Sequence, residues 1–418
     1  MKGKRLLVVS WSLPPLLGPR SIQVGRTLKQ LAANGWDCTV LSVDTDSLPA
    51  NYAKDNFLAE HYLQNYQVIR VPAPPWLQLL NLVRRILPQF APMPDNQTIW
   101  VKPVLAKVEA LLFTNTYDAV LTFGHPWSDH LIGLEIKRKW QIPWVAHFSD
   151  PWADNPYYFR LSNFQKAQME TFERSVIEAA DMVVFTNSET ADLVFKKYPA
   201  EWKTKAQVVP HGYDRNLLGY LKKNDFREGV LRIIHTGNLY GLRTPQGILE
   251  ALRLLKEEGK LNEGLDIVFL GRTKNREDYI EFCKRHGIEV VKFMPTLPYL
   301  ESLQIAASAD VLLLIDAPAA SSSVFLPSKL VDYMMFGKPI LGLTPNDGVV
   351  ALLLDEFGFP HSDPQDEKRI AEMLLGIWDK HNSRGFDFSQ KFDSVAERFD
   401  IEYTTGTFET LLGAVIAG

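Results

Sequence analysis

A lysine, an aspartate and two aromatic residues recur at helical spacing in the segment 321–339, which reads SSSVFLPSKLVDYMMFGKP. Lys329, Asp332, Tyr333 and Phe336 stand at i, i+3, i+4 and i+7, so a helix places them on one face. A surface ion pair between Lys329 and Asp332 is the simplest explanation. Two aromatic residues on the same face favour instead the wall of a binding cleft. There a lysine can hold phosphate and a carboxylate can accept hydrogen bonds from ribose hydroxyl groups.

Proline and glycine set the ends of this predicted helix. Pro327 suits the first helical turn, since its missing N–H has no partner to lose there. Gly337 suits the position just past the helix, where a positive φ is needed. Buried strands are predicted on either side, at residues 311–315 and 340–343. The helix therefore lies between two strands of a sheet.

A second group of candidates follows a predicted strand at 231–236, in the segment HTGNLYGLRTPQGILEAL. Thr244 and Pro245 predict a helix N-terminus, and Arg243 stands beside it at the carboxyl end of the strand. Free N–H groups, the helix dipole and a guanidinium together suit a diphosphate. A plain strand–helix turn with a solvent-facing arginine is the alternative. Arg272, just after another predicted strand, points to the same edge of the sheet.

In the first half, the corner after the first predicted strand reads WSLPPLLGPR, with Gly18 as its single glycine. A dinucleotide enzyme places G-x-G-x-x-G at this corner, so a nicotinamide oxidoreductase is disfavoured. Asp44 and Asp46 form an Asp-x-Asp pair, but a polar turn after a strand explains them more simply. The sequence has no His, Cys and Asp cluster with convincing metal-ligand spacing. We therefore predict no metal site.

Another strand end carries the sequence HFSDPWADNPYY at residues 147–158. Asp150 next to aromatic rings suits the binding of sugar hydroxyl groups, and His125 and His130 flank a neighbouring strand end. An Asp-Pro turn with Trp152 packed beneath it is the alternative. Most isolated histidines are structural, which weakens the case for these two.

Composition describes an ordinary globular protein. The chain has 418 residues, 46% apolar and 22% charged, with a formal net charge of −4 and two distant cysteines. At about 150 residues per domain, two or three domains are expected. Nothing in the charge favours nucleic acid, and the cysteine usage is typical of a reducing compartment. The N-terminal apolar run predicts a first strand, and we expect a soluble, cytoplasmic protein.

Short apolar runs alternate with helical patterns twice along the chain, which predicts two doubly wound domains with parallel sheets. Predicted strands lie at residues 5–10, 38–43, 119–123, 143–148, 182–186, 207–210, 231–236, 266–270, 289–293, 311–315 and 340–343. We place an N-terminal domain at 1–210, a C-terminal domain at 211–385 and a helical segment at 386–418. Residues 317–323, APAASSS, predict a mobile loop.

The segment 321–339 resembles the donor-site helix of retaining glycosyltransferases of family 4. A branch of that family reads Pro-Ser-Lys-Leu-x-acid-Tyr, as do Pro327, Ser328, Lys329, Leu330, Asp332 and Tyr333 here. Val324 replaces the first of two glutamates typical of the family. Gly237, Leu239 and Arg243 match the family's phosphate-binding pattern, with Asn238 in place of an arginine. Asp150-Pro151-Trp152 matches a variant of the same branch.

This resemblance implies an α/β fold with two Rossmann-like domains facing across a cleft, the GT-B architecture, and a nucleotide-diphosphate sugar as co-substrate with no cofactor. It also suggests that segment 386–418 returns to the N-terminal domain. The implied catalytic residues are Arg243, Lys329 and Asp150. The implied donor-binding residues are Gly18, Gly237, Asn238, Arg243, Thr244, Arg272, Ser328, Lys329, Leu330 and Asp332. The implied acceptor-binding residues are Arg20, His125, Asp150 and Trp152.

The implied activity is transfer of a sugar, with retention, to a saccharide or lipid-linked saccharide in cell-envelope polysaccharide synthesis. A non-catalytic GT-B partner subunit remains an alternative, because Val324 and Asn238 depart from the catalytic pattern. A sugar-nucleotide epimerase remains another, because such enzymes share the two-domain fold. The segment 75–90, PWLQLLNLVRRILPQF, predicts either an interfacial helix on the inner face of the cytoplasmic membrane or a helix docked on its own domain.

Overall fold

Every apolar run that predicts a strand forms one in the computed structural model, which describes residues 3–87, 91–156, 161–222, 229–318, 323–383 and 389–418. The chain divides into two units. The first comprises Met1–Gly212 with Ile401–Gly418, and the second comprises Tyr213–Asp400. Of the predicted C-terminal segment, the final helix thus lies in the first unit and the stretch before it in the second.

The first unit contains a parallel sheet, and its described residues form seven strands in the order β3-β2-β1-β4-β5-β6-β7. These strands are β1 Arg5–Val9, β2 Asp37–Asp44, β3 Gln67–Pro72, β4 Ala119–Gly124, β5 Trp144–Phe148, β6 Met182–Phe185 and β7 Ala206–Val208. Its helices are α1 Pro19–Ala33, α2 Asn56–Tyr62, α3 Leu77–Ile86, α4 Val101–Thr114, α5 Ser128–Trp140, α6 Asn163–Ala179, α7 Ser188–Phe195 and α15 Ile401–Ala417.

The second unit repeats the plan, with six parallel strands in the order β10-β9-β8-β11-β12-β13 among its described residues. These strands are β8 Leu231–Thr236, β9 Leu265–Leu270, β10 Val291–Met294, β11 Val311–Ile315, β12 Ile340–Leu343 and β13 His361–Ser362. Its helices are α8 Gln246–Glu257, α9 Arg276–Arg285, α10 Tyr299–Ala307, α11 Ser328–Met334, α12 Val349–Phe357, α13 Glu367–Asn382 and α14 Ser389–Ala396.

Helices cover both faces of the first sheet, which is why its strands read as unbroken apolar runs. Along β1, Leu7 and Val9 belong to one buried cluster, while Leu6 and Val8 belong to the cluster on the opposite face. The second cluster includes residues of α1 and α15, such as Leu412. Because all strands of a unit are parallel, their carboxyl ends meet at one edge, where the loops carry the candidate residues.

Two strands were missed by the sequence prediction. β3 is an edge strand whose residues are mostly half-exposed, and β13 has only two residues. Neither presents the apolar run that marks a buried strand. The predicted mobile loop falls largely on residues 319–322, which lie outside the described residues.

A tight contact in the first unit gives a stability test. A Cβ atom at Gly133, inside α5, would lie 2.4 Å from Cε2 of the buried Trp144. We expect Gly133→Ala to lower the free energy of unfolding by about 1–3 kcal/mol, because the indole has no room to yield. The matched control is Gly376→Ala in α13, where nothing lies within 4 Å, and it should stabilise by up to about 1 kcal/mol. Urea denaturation compares the two, and equal effects would contradict the packing argument.

Candidate functional site

The candidate site of the second unit lies where the strand order changes direction, between β8 and β11. A buried hydroxyl holds this region together. The Tyr333 hydroxyl accepts a hydrogen bond from the backbone N–H of Thr236 at 2.9 Å and donates to the carbonyl oxygen of Leu313 at 3.2 Å. One oxygen of α11 thus ties the helix to the end of β8 and to β11. Helical spacing alone predicts that Tyr333 lines the wall of a cleft. The structure contradicts this prediction, because Tyr333 is 1% exposed.

The ends of α11 differ slightly from the prediction. Pro327 is the residue that caps the helix, and the first helical residue is Ser328. Gly337 has a φ of 58°, which confirms the predicted left-handed turn after the helix. Leu330 is fully buried, so its side chain packs inside the unit, while Ser328 and Asp332 are half-buried.

Lys329 lies against a buried histidine that the sequence analysis did not assign to the site. Its Nζ atom is 3.2 Å from Nε2 of His235, and Nδ1 of His235 is 3.0 Å from the carbonyl oxygen of Leu313. A carbonyl accepts only, so Nδ1 carries the imidazole proton and Nε2 accepts from Lys329. Burial and the charge of Lys329 keep the pKa of His235 well below its usual value, so the ring is neutral.

Arg243 is tethered by a carboxylate at the end of the neighbouring strand. Its Nε and Nη2 atoms lie 3.1 and 3.0 Å from Oδ1 of Asp316, which is 1% exposed and follows β11. The arginine is therefore not the solvent-facing side chain of the alternative interpretation. The backbone N–H of Ala317 donates to the same oxygen at 2.8 Å, which fixes the carboxylate in turn.

The balance of charge around Lys329 favours an anion. Burial and the nearby charge of Arg243 lower the pKa of Lys329 to about 7, and Asp316 opposes them only in part. Gly237 follows β8 with a φ of 112°, and a Cβ atom there would lie 3.0 Å from Nζ of Lys329. Glycine thus allows the backbone to approach the ammonium group. Two cationic side chains with one buried carboxylate suit a phosphate ligand.

The remaining predicted donor residues of this unit lie near the same strand ends. Oδ1 of Asn238 accepts from the backbone N–H of Arg272 at 3.0 Å, and the Arg272 side chain is exposed. The predicted N-cap at Thr244 is wrong, because α8 begins at Gln246 with Pro245 as its cap residue. No side chain caps this helix.

In the first unit, the predicted residues also gather at strand ends. Gly18 precedes α1, and its φ of −179° requires no glycine. Arg20 lies in the first turn of α1. Burial lowers the pKa of Arg20 to about 10, and the charge of Asp150 is the largest influence that opposes this shift. Asp150 is half-buried, and His125 is exposed at the end of β4.

Two other predicted residues are buried inside the first unit. Trp152 is fully buried, donates from Nε1 to Sδ of Met169 at 3.2 Å and stacks on Trp127. Its burial agrees with the alternative that the sequence left open, and Trp152 therefore does not face an acceptor. His130 is fully buried in α5, and its Nδ1 lies 2.7 Å from Oγ1 of Thr122.

Three residues of these regions carry a sequence signal that was not used. His235, Asp316 and His147 each stand at or just after the carboxyl end of a buried strand. A polar residue in that position of a parallel sheet is a candidate by itself.

Asp44 and Asp46 take part in local structure. The backbone N–H of Asp46 donates to Oδ1 of Asp44, and Asp46 pairs with Lys54 at 3.0 Å. This is the polar turn of the simpler interpretation. Within the described ranges, no group of three or more His, Cys, Asp or Glu residues is arranged to hold a metal ion. Nor does any helix in the described part of the chain have the length and apolar character to cross a membrane.

Comparison with known proteins supports the fold. Residues 21–212 match the family model described as "Glycosyl transferase 4-like domain". Sucrose-phosphate synthase from Thermosynechococcus elongatus has a TM-score of 0.69 at 14% identity, covering 99% of both chains. Anabaena HepE in complex with UDP has a TM-score of 0.65 at 15% identity, covering 98% of this chain and 100% of that chain.

A Listeria monocytogenes protein described as a UDP-N-acetylglucosamine 2-epimerase also has this fold, with a TM-score of 0.62 at 12% identity, covering 99% of this chain and 96% of that chain. No curated protein matches the chain by sequence. The predicted GT-B fold is confirmed, with two parallel-sheet α/β units like those of GT-B glycosyltransferases.

The half-buried Lys329 gives a prediction about stability. We expect Lys329→Met to raise the free energy of unfolding by about 1–3 kcal/mol at pH 7, because folding then buries no charge at this position. The pKa of Lys329 falls from 10.5 to about 7 on folding. At pH values between these two, the unfolded chain therefore binds more protons at this position than the folded protein does. Wild-type stability should therefore rise with pH in that range, and the gap between the two proteins should narrow.

Chemical denaturation between pH 7 and pH 9 measures both effects. Lys368→Met, at an exposed position of α13, is the matched control. It should change neither the stability at pH 7 nor the dependence of stability on pH. A Lys329→Met protein that is no more stable than wild type at pH 7 would contradict the predicted cost of burying the ammonium group.

Proposed function

We propose that this protein is a retaining glycosyltransferase that moves a sugar from a nucleoside diphosphate to a saccharide or lipid-linked saccharide. The observation that carries the proposal is the pair of cations, Arg243 and Lys329, at the carboxyl ends of β8 and β11. Open parallel sheets bind ligands at such a change of strand order. HepE structures with UDP and with UDP-glucose share the fold, which supports a nucleotide-sugar donor.

In the proposed reaction, the diphosphate of the donor lies against Arg243 and Lys329. Asp316 accepts hydrogen bonds from Nε and Nη2 of Arg243, and these two bonds fix the orientation of the guanidinium. A bound phosphate raises the pKa of a neighbouring lysine, so Lys329 binds the donor as a cation. The two charges then offset the negative charge that develops on the leaving diphosphate.

Other residues receive roles from the family resemblance. Asp332 accepts hydrogen bonds from ribose hydroxyl groups, and Asp150 binds hydroxyl groups of the acceptor. In this proposal no side chain acts as a nucleophile, and an oxygen of the leaving phosphate takes the proton of the acceptor. Because side-chain cations face the diphosphate, the reaction needs no divalent metal ion.

Two other functions have specific support. The fold is shared with the Listeria protein described as an epimerase, and Val324 and Asn238 stand where the catalytic pattern has glutamate and arginine. Incubation with a panel of UDP-, GDP-, TDP- and ADP-sugars separates the three cases. A transferase gives a glycosylated acceptor, an epimerase converts the free nucleotide sugar, and a non-catalytic subunit does neither.

Several apolar side chains of helix α3 are exposed to solvent. Leu79 and Ile86 are 59% and 63% exposed, and Trp76 and Leu82 are exposed as well. The opposite side of the helix faces the protein, where Leu77 is buried and Nε of Arg84 donates to Oδ1 of Asn96 at 2.9 Å. A helix that docked on its own domain with all of its apolar residues would leave only polar side chains exposed.

From these exposed apolar side chains we infer that α3 contacts an anionic lipid surface on the cytoplasmic face of a membrane. Exposed leucine, isoleucine and tryptophan suit the interfacial region, and the exposed Arg85 suits anionic head groups. A lipid-linked acceptor of a cell-envelope polysaccharide would be presented at such a surface.

Nucleotide binding tests the donor site. We expect Arg243→Gln to weaken UDP binding by about 1.5–3 kcal/mol, because a charge-assisted contact to phosphate is lost. Glutamine is preferred to alanine, since its amide can still donate to the buried Asp316. Asp332→Asn should weaken binding less, and Arg276→Gln, at an exposed position of α9, is the control. Calorimetry in EDTA measures these affinities, and wild-type binding in both site variants would refute the placement.

Vesicle binding tests the role of α3. We expect wild type to sediment with vesicles that contain anionic lipid at low salt and to be released by salt. Replacing Leu79, Leu82 and Ile86 by Gln should abolish sedimentation while UDP binding persists, because these side chains are exposed and support no core. The control replaces the exposed Phe113 and Leu352 by Gln. A protein that ignores these vesicles would favour a soluble acceptor.

A further inference from the structure

A histidine stands at a position of β8 where the strand pattern predicts an apolar residue. Leu231, Ile233 and His235 alternate along the strand, and the first two are buried in the apolar core of the second unit. His235 is fully buried as well, and its ring centroid lies 6.3 Å from that of Phe269 on the neighbouring strand. Burying an imidazole costs stability unless its nitrogen atoms find partners. Packing alone therefore does not explain a histidine here.

Both ring nitrogens of His235 have a partner, and the two contacts differ in kind. Nδ1 donates to the carbonyl oxygen of Leu313 at 3.0 Å, which anchors this side of the ring to β11. Nε2 lies 3.2 Å from Nζ of Lys329 and accepts a hydrogen bond from it. The same carbonyl oxygen accepts from the Tyr333 hydroxyl at 3.2 Å, which anchors α11, the helix that carries Lys329. The lysine and its acceptor are thus fixed to one point of β11.

The acceptor that His235 offers to Lys329 carries no charge. Burial and the charges of Lys329 and Arg243 keep the pKa of His235 well below its usual value, so the ring is neutral. The carboxylate of this region, Asp316, accepts from Arg243 and from the backbone N–H of Ala317. A carboxylate bonded to the ammonium group of Lys329 would orient it but would also offset its charge. A neutral imidazole orients the ammonium group and leaves its charge available to an anion.

We propose that His235 is a positioning residue, which orients the ammonium group of Lys329 toward the diphosphate of the donor. The hydrogen bond to Nε2 of His235 fixes one N–H bond of Lys329. Because the Cε–Nζ bond is fixed as well, the other two N–H bonds then point in set directions. Gly237, two residues after His235, lets Nζ of Lys329 approach the backbone. The diphosphate as ligand rests on the proposed function, whereas the orienting of the lysine for an anion does not.

Two substitutions separate the roles of the two ring nitrogens. The amide of glutamine reaches as far as Nε2, whereas the amide of asparagine reaches only as far as Nδ1. His235→Gln therefore keeps an acceptor for Lys329 and loses the anchor to Leu313, and His235→Asn does the opposite. We expect His235→Asn to weaken UDP binding about tenfold and His235→Gln about threefold or less. A histidine that only joined β8 to β11 would give the reverse order.

A double-mutant cycle, measured by calorimetry with UDP, assigns the effect to Lys329. The Lys329→Met protein has no ammonium group to orient, so adding His235→Asn should change its UDP affinity by less than about twofold. An equal loss in both backgrounds would overturn the proposal, and so would a His235→Asn protein that binds UDP like wild type. The control is His286→Asn, at the end of α9, which should leave UDP affinity unchanged.

A measurement on the unaltered side chain does not depend on whether a His235 variant folds. Imidazole nitrogen signals in NMR distinguish a protonated nitrogen from one that accepts a hydrogen bond. We expect Nδ1 of His235 to be protonated and Nε2 to be an acceptor, and we expect UDP to shift the Nε2 signal in wild type but not in Lys329→Met. A protonated Nε2, or a signal that UDP leaves unchanged in wild type, would overturn the proposal.

Inorganic pyrophosphate separates this inference from the proposed function, since it has the diphosphate of the donor without the nucleoside or the sugar. We expect the His235 variants to lose affinity for pyrophosphate in the same order as for UDP. This order in a protein that binds no nucleotide would refute the proposed function and leave the role of His235 standing. Binding of UDP by wild type and by both His235 variants with equal affinity would do the reverse. A protein that binds neither ligand would refute both.

Discussion

The hydroxyl group of Tyr333 holds the candidate donor site in register. It accepts a hydrogen bond from the backbone N–H of Thr236 and donates one to the carbonyl oxygen of Leu313. Helix α11 therefore cannot shift along β8 or β11 without leaving buried groups unpaired. Lys329 stands one helical turn before this anchor, and Gly237 directly follows Thr236. The approach of the lysine to the backbone of the glycine is therefore a consequence of one buried hydrogen-bond network. The neutral groups bonded to Tyr333 thus fix the position in which the charge of Lys329 acts.

The two units treat a buried guanidinium in opposite ways. Arg243 is held by Asp316, so its orientation is fixed by the protein itself. Nε and Nη1 of Arg20 are buried and form no hydrogen bond. Pairing reduces the cost of burying a charge, whereas an unpaired charge keeps its full affinity for an incoming anion. The first arrangement favours precision in placing a ligand, and the second favours strength of attraction.

Sequence patterns predicted the strands well and the directions of side chains poorly. The bounds of β8, β11 and β12 agree with prediction because each is a run of buried apolar residues. Helical spacing correctly placed Tyr333 on the same face of α11 as Lys329. It could not show that Tyr333 is buried, because that burial depends on strands that are distant in the sequence. The same limit applies to Trp152. Arg243 and Asp316 are 73 residues apart, so their pairing follows from strand order, which no local pattern contains.

The helix α15 completes the first unit from the far end of the chain. Phe408 and Leu412 are buried among residues of α1 and the first sheet, and Glu409 accepts hydrogen bonds from Asn34 and Trp36. A ribosome releases Met1–Gly212 early, yet the surface that α15 covers stays open until residues 401–417 have also been made. The unit synthesised first is thus the last to be finished. During translation its uncovered face is a place where chaperones can bind and where premature association between nascent chains can begin.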